Sequence, residues 1–136
     1  VCLPVLPLIS PNQSSFTCVN AGHNPPVFYS AQDRSAKLLA ENGIVLGIDD
    51  SFSYEEQHGV MDPGDLIILY SDGVTEAIND TTIMYGQERL CRIIRENADC
   101  SADQILGKIL DDLREFTGDA DQFDDITILV LKRTKS

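Results

Sequence analysis

Asp72 stands at the end of the apolar run Leu66-Ile67-Ile68-Leu69-Tyr70, and Asp124 and Asp125 introduce the run Ile126 to Lys132. A strand built for burial that ends in Ser71-Asp72-Gly73 has an ordinary explanation. Asp bonds its own backbone, glycine accepts positive φ, and together they turn the chain. The second pair of acids adds another. If the two runs are antiparallel neighbours, the end of the first lies beside the start of the second. Asp72 and Asp124 then meet at one sheet edge, each on a rigid support. Two carboxylates gathered in a partly dry site repel unless a proton or a cation separates them. A hard divalent ion with oxygen ligands, Mg²⁺ or Mn²⁺, is the natural cation. On these residues alone, a plain turn and a metal site both stay open.

The elements that must hold these acids are legible around them. "SFTCVN", Ser15 to Asn20, alternates with aromatic and β-branched residues until "AGHNPP" breaks it. "VFYS" and "AKLLA" form a hairpin around the polar Gln32-Asp33-Arg34. "YEEQHGVM" precedes the turn Asp62-Pro63-Gly64-Asp65, and "LIILY" follows as a fully buried strand. A helix is expected from Gly86 to about Asn97, with Leu90, Ile93 and Ile94 on one face and Glu88 paired with Arg92 on the other. A second begins at Ser101, which forms a capping box with Gln104, and buries Ile105, Ile109, Leu113 and Phe116 before Gly118 stops it. "DDITILVLK" is the last strand, introduced by the two acids. Strands followed by two helices, without βαβ alternation, make an α+β domain whose helices cover one face of an antiparallel sheet.

Composition narrows the function. The chain has 136 residues, enough for one domain with a real core. Its 22 acids against 10 bases give a formal charge of -12, a field that repels nucleic-acid phosphates and anionic lipid. Neither nucleic acid nor a membrane is expected as a partner of this segment. The short run "VCLPVLPLIS", with Pro4 and Pro7 and no basic leader, is neither a transmembrane span nor a signal peptide. Cys2, Cys18, Cys91 and Cys100 form no C-x-x-C pair, so reduced thiols in a cytoplasmic protein are expected.

"NAGHNPPVF", "NGIVLGI", "MDPGDLIILYSDGVTEAIN", "YGQERL" and "QFDDITILVLK" occur in this order. With these motifs in register from about Ser15 to Arg133, the chain resembles the SpoIIE/RsbU-type branch of the PPM metal-dependent serine/threonine protein phosphatases. The resemblance implies a sandwich of two antiparallel sheets flanked by helices. It also implies two Mg²⁺ or Mn²⁺ ions bridged by a water that attacks a phosphoserine or phosphothreonine phosphorus in line. Carried over by position, Asp72 and Asp124 are the metal ligands, and Asp125 takes the place of Asp124 if the register slips by one. Gly73 lets the backbone approach the site, Gly22 is structural within the Asn-Ala-Gly-His motif, and Gly64 with Asp65 makes the preceding turn. The usual substrates in this branch are phosphorylated anti-sigma-antagonist proteins of bacterial partner-switching systems.

The sequence departs from that pattern in places. In the broader superfamily an Asp, associated with a third and looser metal, stands where this chain has His23. The alternative for His23 is a histidine bonding across the turn from Asn20 to Asn24. Glu76 falls at another acid of that third site, or is simply solvated. The family's first metal-bridging Asp belongs to an Asp-x-x-Gly-His-Gly motif, and neither His23 nor His58 is followed by such a pattern. The chain therefore reads as the C-terminal part of the fold, lacking its N-terminal portion. The stretch from Val1 to Asn20 reads as a degraded version of the strand leading into Asn-Ala-Gly-His. Alone, the chain is expected to bind metal weakly, hydrolyse no phosphoprotein usefully, and pair through uncovered strands into a homodimer. The competing functions are a non-catalytic phosphatase-like binding module and an acidic interaction domain without metal.

Overall fold

Leu66, Ile67, Ile68 and Tyr70 are all at most 2% exposed, so both faces of "LIILY" are covered. The computed structural model shows why. It describes residues 5–10, 14–39, 43–120 and 124–134. In chain order these form β1 (Val5–Ser10), β2 (Ser15–Asn20), β3 (Val27–Ser30), β4 (Ser35–Leu38), β5 (Glu56–Val60), β6 (Leu66–Tyr70), the single turn α1 (Asp72–Thr75), α2 (Gly86–Asn97), α3 (Ala102–Thr117) and β7 (Ile128–Lys132). One antiparallel sheet has the order β1-β2-β5 and the other β4-β3-β6-β7. β6 is an inner strand of the second, and its alternating side chains serve two cores. Leu66, Ile68 and Tyr70 join Val27, Leu90, Ile94, Ile105 and Ile109 beneath the helices. Ile67 joins Phe16, Cys18, Phe28 and Met61 between the sheets. The layers are therefore sheet, sheet and helices, as the sequence resemblance implies.

Local chemistry sets the ends of these elements. Arg34, at φ 50°, closes the hairpin between β3 and β4. Ser101 Oγ accepts from Gln104 N while Gln104 Oε1 accepts from Ser101 N, the reciprocal cap expected for α3. Before β6, buried Asp65 accepts from Ala31 N through one carboxylate oxygen and from Asp62 N through the other, each at 2.8 Å. The turn expected at Gly64-Asp65 is thus fixed by a carboxylate that serves two otherwise orphaned amides.

The helices pack by burial and lock through one charged cluster. Arg89 on α2 donates to both carboxylate oxygens of Asp112 on α3, at 2.8 and 2.9 Å, and Tyr85 OH donates to the same carboxylate at 2.6 Å. The Arg89 guanidinium also lies over the rings of Tyr85 and Phe116. Hydrogen bonding to Arg89 holds the Asp112 carboxyl below its ordinary value, while burial and the bond to Asp112 push the Tyr85 phenol up. This corrects the expected Glu88–Arg92 pair. Among the described residues no ion pair joins them, and Arg92 turns instead toward Asp112, at 4.0 Å. A half-buried carboxylate in low dielectric attracts the guanidinium more strongly than a solvated glutamate does.

Two further readings change. The acids thought to open the last strand precede it, since β7 starts at Ile128. Val5–Ser10 is a strand of its own, paired antiparallel to β2, and β2 is the one that leads into Asn20-Ala21-Gly22-His23. Cys2 lies outside the described residues.

Asp112→Asn should lower stability by about 1–3 kcal/mol near neutral pH by weakening a charge-assisted fork. Because the folded carboxyl titrates below its unfolded value of 3.8, the wild type's advantage is complete above that value. The advantage is lost as pH falls through the folded pKa. Urea unfolding of both proteins from neutral to strongly acidic pH checks this; a gap that widens on acidification would contradict it.

Candidate metal site at the end of the central strand

β6 and β7 are antiparallel neighbours in the register Tyr70↔Ile128, so the exit of one adjoins the entry of the other. One serine extends that join past the strands. Ser71 N donates to Thr127 O at 2.9 Å, Thr127 N donates to Ser71 Oγ at 3.0 Å, and Ser71 Oγ donates to Asp125 O at 2.9 Å. Asp72 then opens α1, where Glu76 N donates to Asp72 O and Gly73 N to Asp72 Oδ1. Asp125 N donates to Asp124 Oδ1 at 2.7 Å, which orients that carboxylate on its own backbone.

Gly73 is the closest crossing of the two segments. A Cβ placed there would lie 2.5 Å from Asp125 O and 3.3 Å from Asp124 O. No side chain fits, so glycine is what lets the Asp72 segment and the Asp124–Asp125 segment lie in contact. Next to this crossing is a cleft of about 690 Å³ whose lining includes Gly73, Glu76, Asp124 and Asp125, with Leu113 and Arg114 from α3. Asp72, Glu76, Asp124 and Asp125 are exposed. Among the described residues, the ion pair of Arg114 is an exposed one with Asp111, at 3.5 Å.

The structure therefore brings the Asp72, Glu76, Asp124 and Asp125 segments to one end of the sheet. His23, in the turn that enters β3, comes to the same end of the sheet through the register Val27↔Ile68, with hydrogen bonds of its own. His23 N donates to Asn20 Oδ1, Asn20 Nδ2 donates to His23 O, and the ring Nδ1 bonds Asn24 O at 3.0 Å. A carbonyl can only accept, so that nitrogen carries the proton, and the Asn20–Asn24 turn is closed by the bonds between Asn20 and the His23 backbone. Gly22, at φ +80°, serves this turn too: a Cβ there would lie 2.8 Å from Val45 N. Its role is to seat Asn-Ala-Gly-His against the Gly43–Gly47 stretch.

In kind, exposed carboxylate oxygens on rigid supports suit Mg²⁺ or Mn²⁺. In number they form a partial set: among the described residues no group of three or more His, Cys, Asp or Glu side chains is placed to hold an ion. An ion held here takes its remaining ligands from water or from groups beyond these residues, as hard cations allow. Two contributors escaped the sequence reading. In the sequence Ser71 is only part of the turn ending the strand, and its cross-strand role depends on β7 lying alongside. Arg114 sits one position past Leu113, just off the apolar stripe, and the packing of α3 makes it part of the cleft lining.

Comparison with known proteins identifies the family and the fold. The family profile of Stage II sporulation protein E (SpoIIE) matches residues 3–134. The chain is 34% identical over 122 residues to phosphoserine phosphatase RsbU of Bacillus subtilis (strain 168), covering 90% of the chain and 36% of RsbU. It thus spans about a third of that relative's length. A solved structure of the RsbU and RsbW domains of Rv1364c from Mycobacterium tuberculosis superimposes with a TM-score of 0.73 at 25% identity, covering 89% of this chain and 33% of that one. The manganese-presoaked phosphatase domain of SpoIIE from Bacillus subtilis gives a TM-score of 0.74 at 18% identity, over 97% of this chain and 56% of that one. At that identity the second structure speaks for the fold alone.

Gly73→Ala should cost about 1–3 kcal/mol, because its Cβ would press on a carbonyl that cannot withdraw without parting β6 from β7. Gly107→Ala, in α3 where an added Cβ meets nothing within 4 Å, should instead stabilise by about 0.5–1 kcal/mol. Urea midpoints of the two variants give the comparison. Equal shifts would mean that the crossing at Gly73 is not tight.

Proposed function

The chain belongs to the SpoIIE family, of the SpoIIE/RsbU-type branch of PPM phosphatases, and we propose that it supplies part of the metal site of a serine/threonine protein phosphatase. The reaction is hydrolysis of phosphoserine or phosphothreonine on a regulatory protein. The observation that carries the proposal is the crossing at Gly73, which joins the Asp72 segment to the Asp124–Asp125 segment at one sheet end. Similarity to RsbU, a phosphoserine phosphatase by name, supports the reaction class.

In this reading Asp72 and Asp124 ligate Mg²⁺ or Mn²⁺, with Asp125 and Glu76 next to them on the cleft wall. When bound, the ions would supply an acidified water and positive charge for the phosphoryl oxygens. The chain's own residues do the positioning. Ser71 and Gly73 fix the spacing between the two acidic segments, and the hydrogen bond from Asp125 N restrains Asp124. Arg114, the basic residue of the cleft lining, faces the place where an anionic phosphoryl group would enter, and a guanidinium fork suits its oxygens. The substrate class we propose is a phosphorylated anti-sigma antagonist, on the strength of the RsbU likeness and of a neighbour that joins RsbU and RsbW domains in one protein.

In the full-length protein, Asp72→Asn or Asp124→Asn should lower phosphate release from a phosphoserine protein by roughly a hundredfold or more, the several kcal/mol that a catalytic metal supplies. Circular dichroism should be unchanged. Residues 1–136 alone, which contain no Asp-x-x-Gly-His-Gly, should bind Mn²⁺ weakly and show no useful turnover. Near-normal turnover by either Asn variant would remove that residue from the ligand set. Near-normal turnover by both would move the metal site away from these acids, and no turnover by the unsubstituted full-length protein would leave a phosphatase-like binding module as the better account.

A further inference from the structure

At the opposite edge of the same sheet from β7, the charge reverses. Of the chain's 10 basic residues, Arg89, Arg92 and Arg95 line a single groove of about 660 Å³ between α2 and β4, with Ala36 and Leu38 on the β4 side and Glu88 as its acid. Arg89 is committed to Asp112 as a two-pronged pair. Arg92 has only the 4.0 Å approach to that carboxylate and is half exposed. Arg95 is exposed and forms no ion pair among the described residues. Two guanidinium groups one helical turn apart are thus open to an incoming anion in a protein of net charge -12.

The groove also presents backbone. β4 is an edge strand, and among the described residues nothing pairs with its outer side. Leu39 N donates to Pro26 O, and the register runs Phe28↔Lys37 and Ser30↔Ser35. Hydrogen-bonded pairs alternate along an antiparallel ladder, so Ser35 and Lys37 turn their backbone groups to β3. Ala36 and Leu38 turn theirs outward. Their side chains pack partly into the core beneath the helices, which places them on the same sheet face as α2.

We propose that this groove binds an extended, acidic segment of a partner protein, added as a strand along β4 with its carboxylates facing Arg92 and Arg95. The spacings agree. Alternate residues of a strand, which share one face, lie about 6.6–6.8 Å apart, and helix positions three apart have Cβ atoms about 5–6 Å apart. Acids at positions i and i+2 therefore face the two arginines, while intervening residues point to the other face beside Ser35 and Lys37, both exposed. Backbone pairing supplies affinity, and the alternation of acids supplies selectivity. The site shares no residue with the acidic cleft, so it stands or falls separately from the phosphatase reading.

The test uses fluorescence anisotropy with a labelled peptide alternating threonine and glutamate, beside a peptide of the same composition with its glutamates contiguous. The alternating peptide should bind saturably, at least about fivefold more tightly than the block peptide, and more weakly as salt rises. Arg92→Glu with Arg95→Glu, which leaves the Arg89–Asp112 pair intact, should weaken it by about tenfold or more while circular dichroism is unchanged. Equal binding of the two peptides would reduce the groove to nonspecific attraction and overturn strand addition. So would absence of saturable binding, or indifference to the double substitution. A dimer seen by sedimentation, abolished by the double substitution and not displaced by the peptide, would assign the groove to a second copy of the chain instead.

Discussion

The two-sided burial of β6 is the constraint on which the rest depends. A strand of five residues with apolar or aromatic side chains on both faces needs a hydrophobic layer above and below, and hydrogen-bonding strands on both edges. The second sheet supplies one layer and the helices the other, while β3 and β7 supply the edges. Once β7 lies against β6, the place where β6 leaves the core is also where the acidic segment enters it. The acids then sit at the end of the most buried strand, where the support is most rigid. Ser71 and Gly73 complete that arrangement by making the crossing close.

Where the sequence was readable, local chemistry and tertiary structure agreed. The reciprocal cap of Ser101 and Gln104, the alternation of "SFTCVN" and the turn at Gly64-Asp65 each express a short-range preference that packing leaves undisturbed. The departures have a common origin in partners distant in sequence. Arg92 left Glu88 for Asp112 because α3 brings a more buried carboxylate within reach. The last strand starts at Ile128, since Asp125 O and Thr127 are engaged by Ser71 across the exit of β6. Val5–Ser10, broken by Pro7, gave little local signal as a strand and is placed by its pairing with β2. At the candidate site, Asp72, Asp124 and Asp125 were visible as residues at strand ends, and their meeting followed from the antiparallel pairing. Ser71 and Arg114 were invisible, because the bonds of Ser71 exist only across that pairing and the place of Arg114 beside the cleft depends on how α3 packs.

Charge divides the helix-covered sheet. The end of β6 and the approach to β7 gather acids in an exposed cleft, and the β4 edge carries the arginine groove. The Arg89–Asp112 cluster stands between α2 and α3, holding the helix that presents Arg92 and Arg95 against the helix that presents Arg114. A protein with a large negative charge would repel most acidic partners at long range, so recognition through this groove depends on short-range pairing. The helix layer thus does more than cover the core: α2 supplies the arginines of the β4 edge, and α3 brings Arg114 to the acidic cleft.

The central claim is that the Asp72 and Asp124–Asp125 segments form one cation site. Mn²⁺ is paramagnetic, and titrating it into the chain while recording amide-resolved nuclear magnetic resonance spectra locates the ion without any catalytic assay. The account predicts that the amides of Asp72, Gly73, Glu76, Asp124 and Asp125 broaden first and together, and that excess Mg²⁺ restores them. Broadening centred on other acids, such as Asp49 and Asp50, with the Gly73 crossing left sharp, would contradict it.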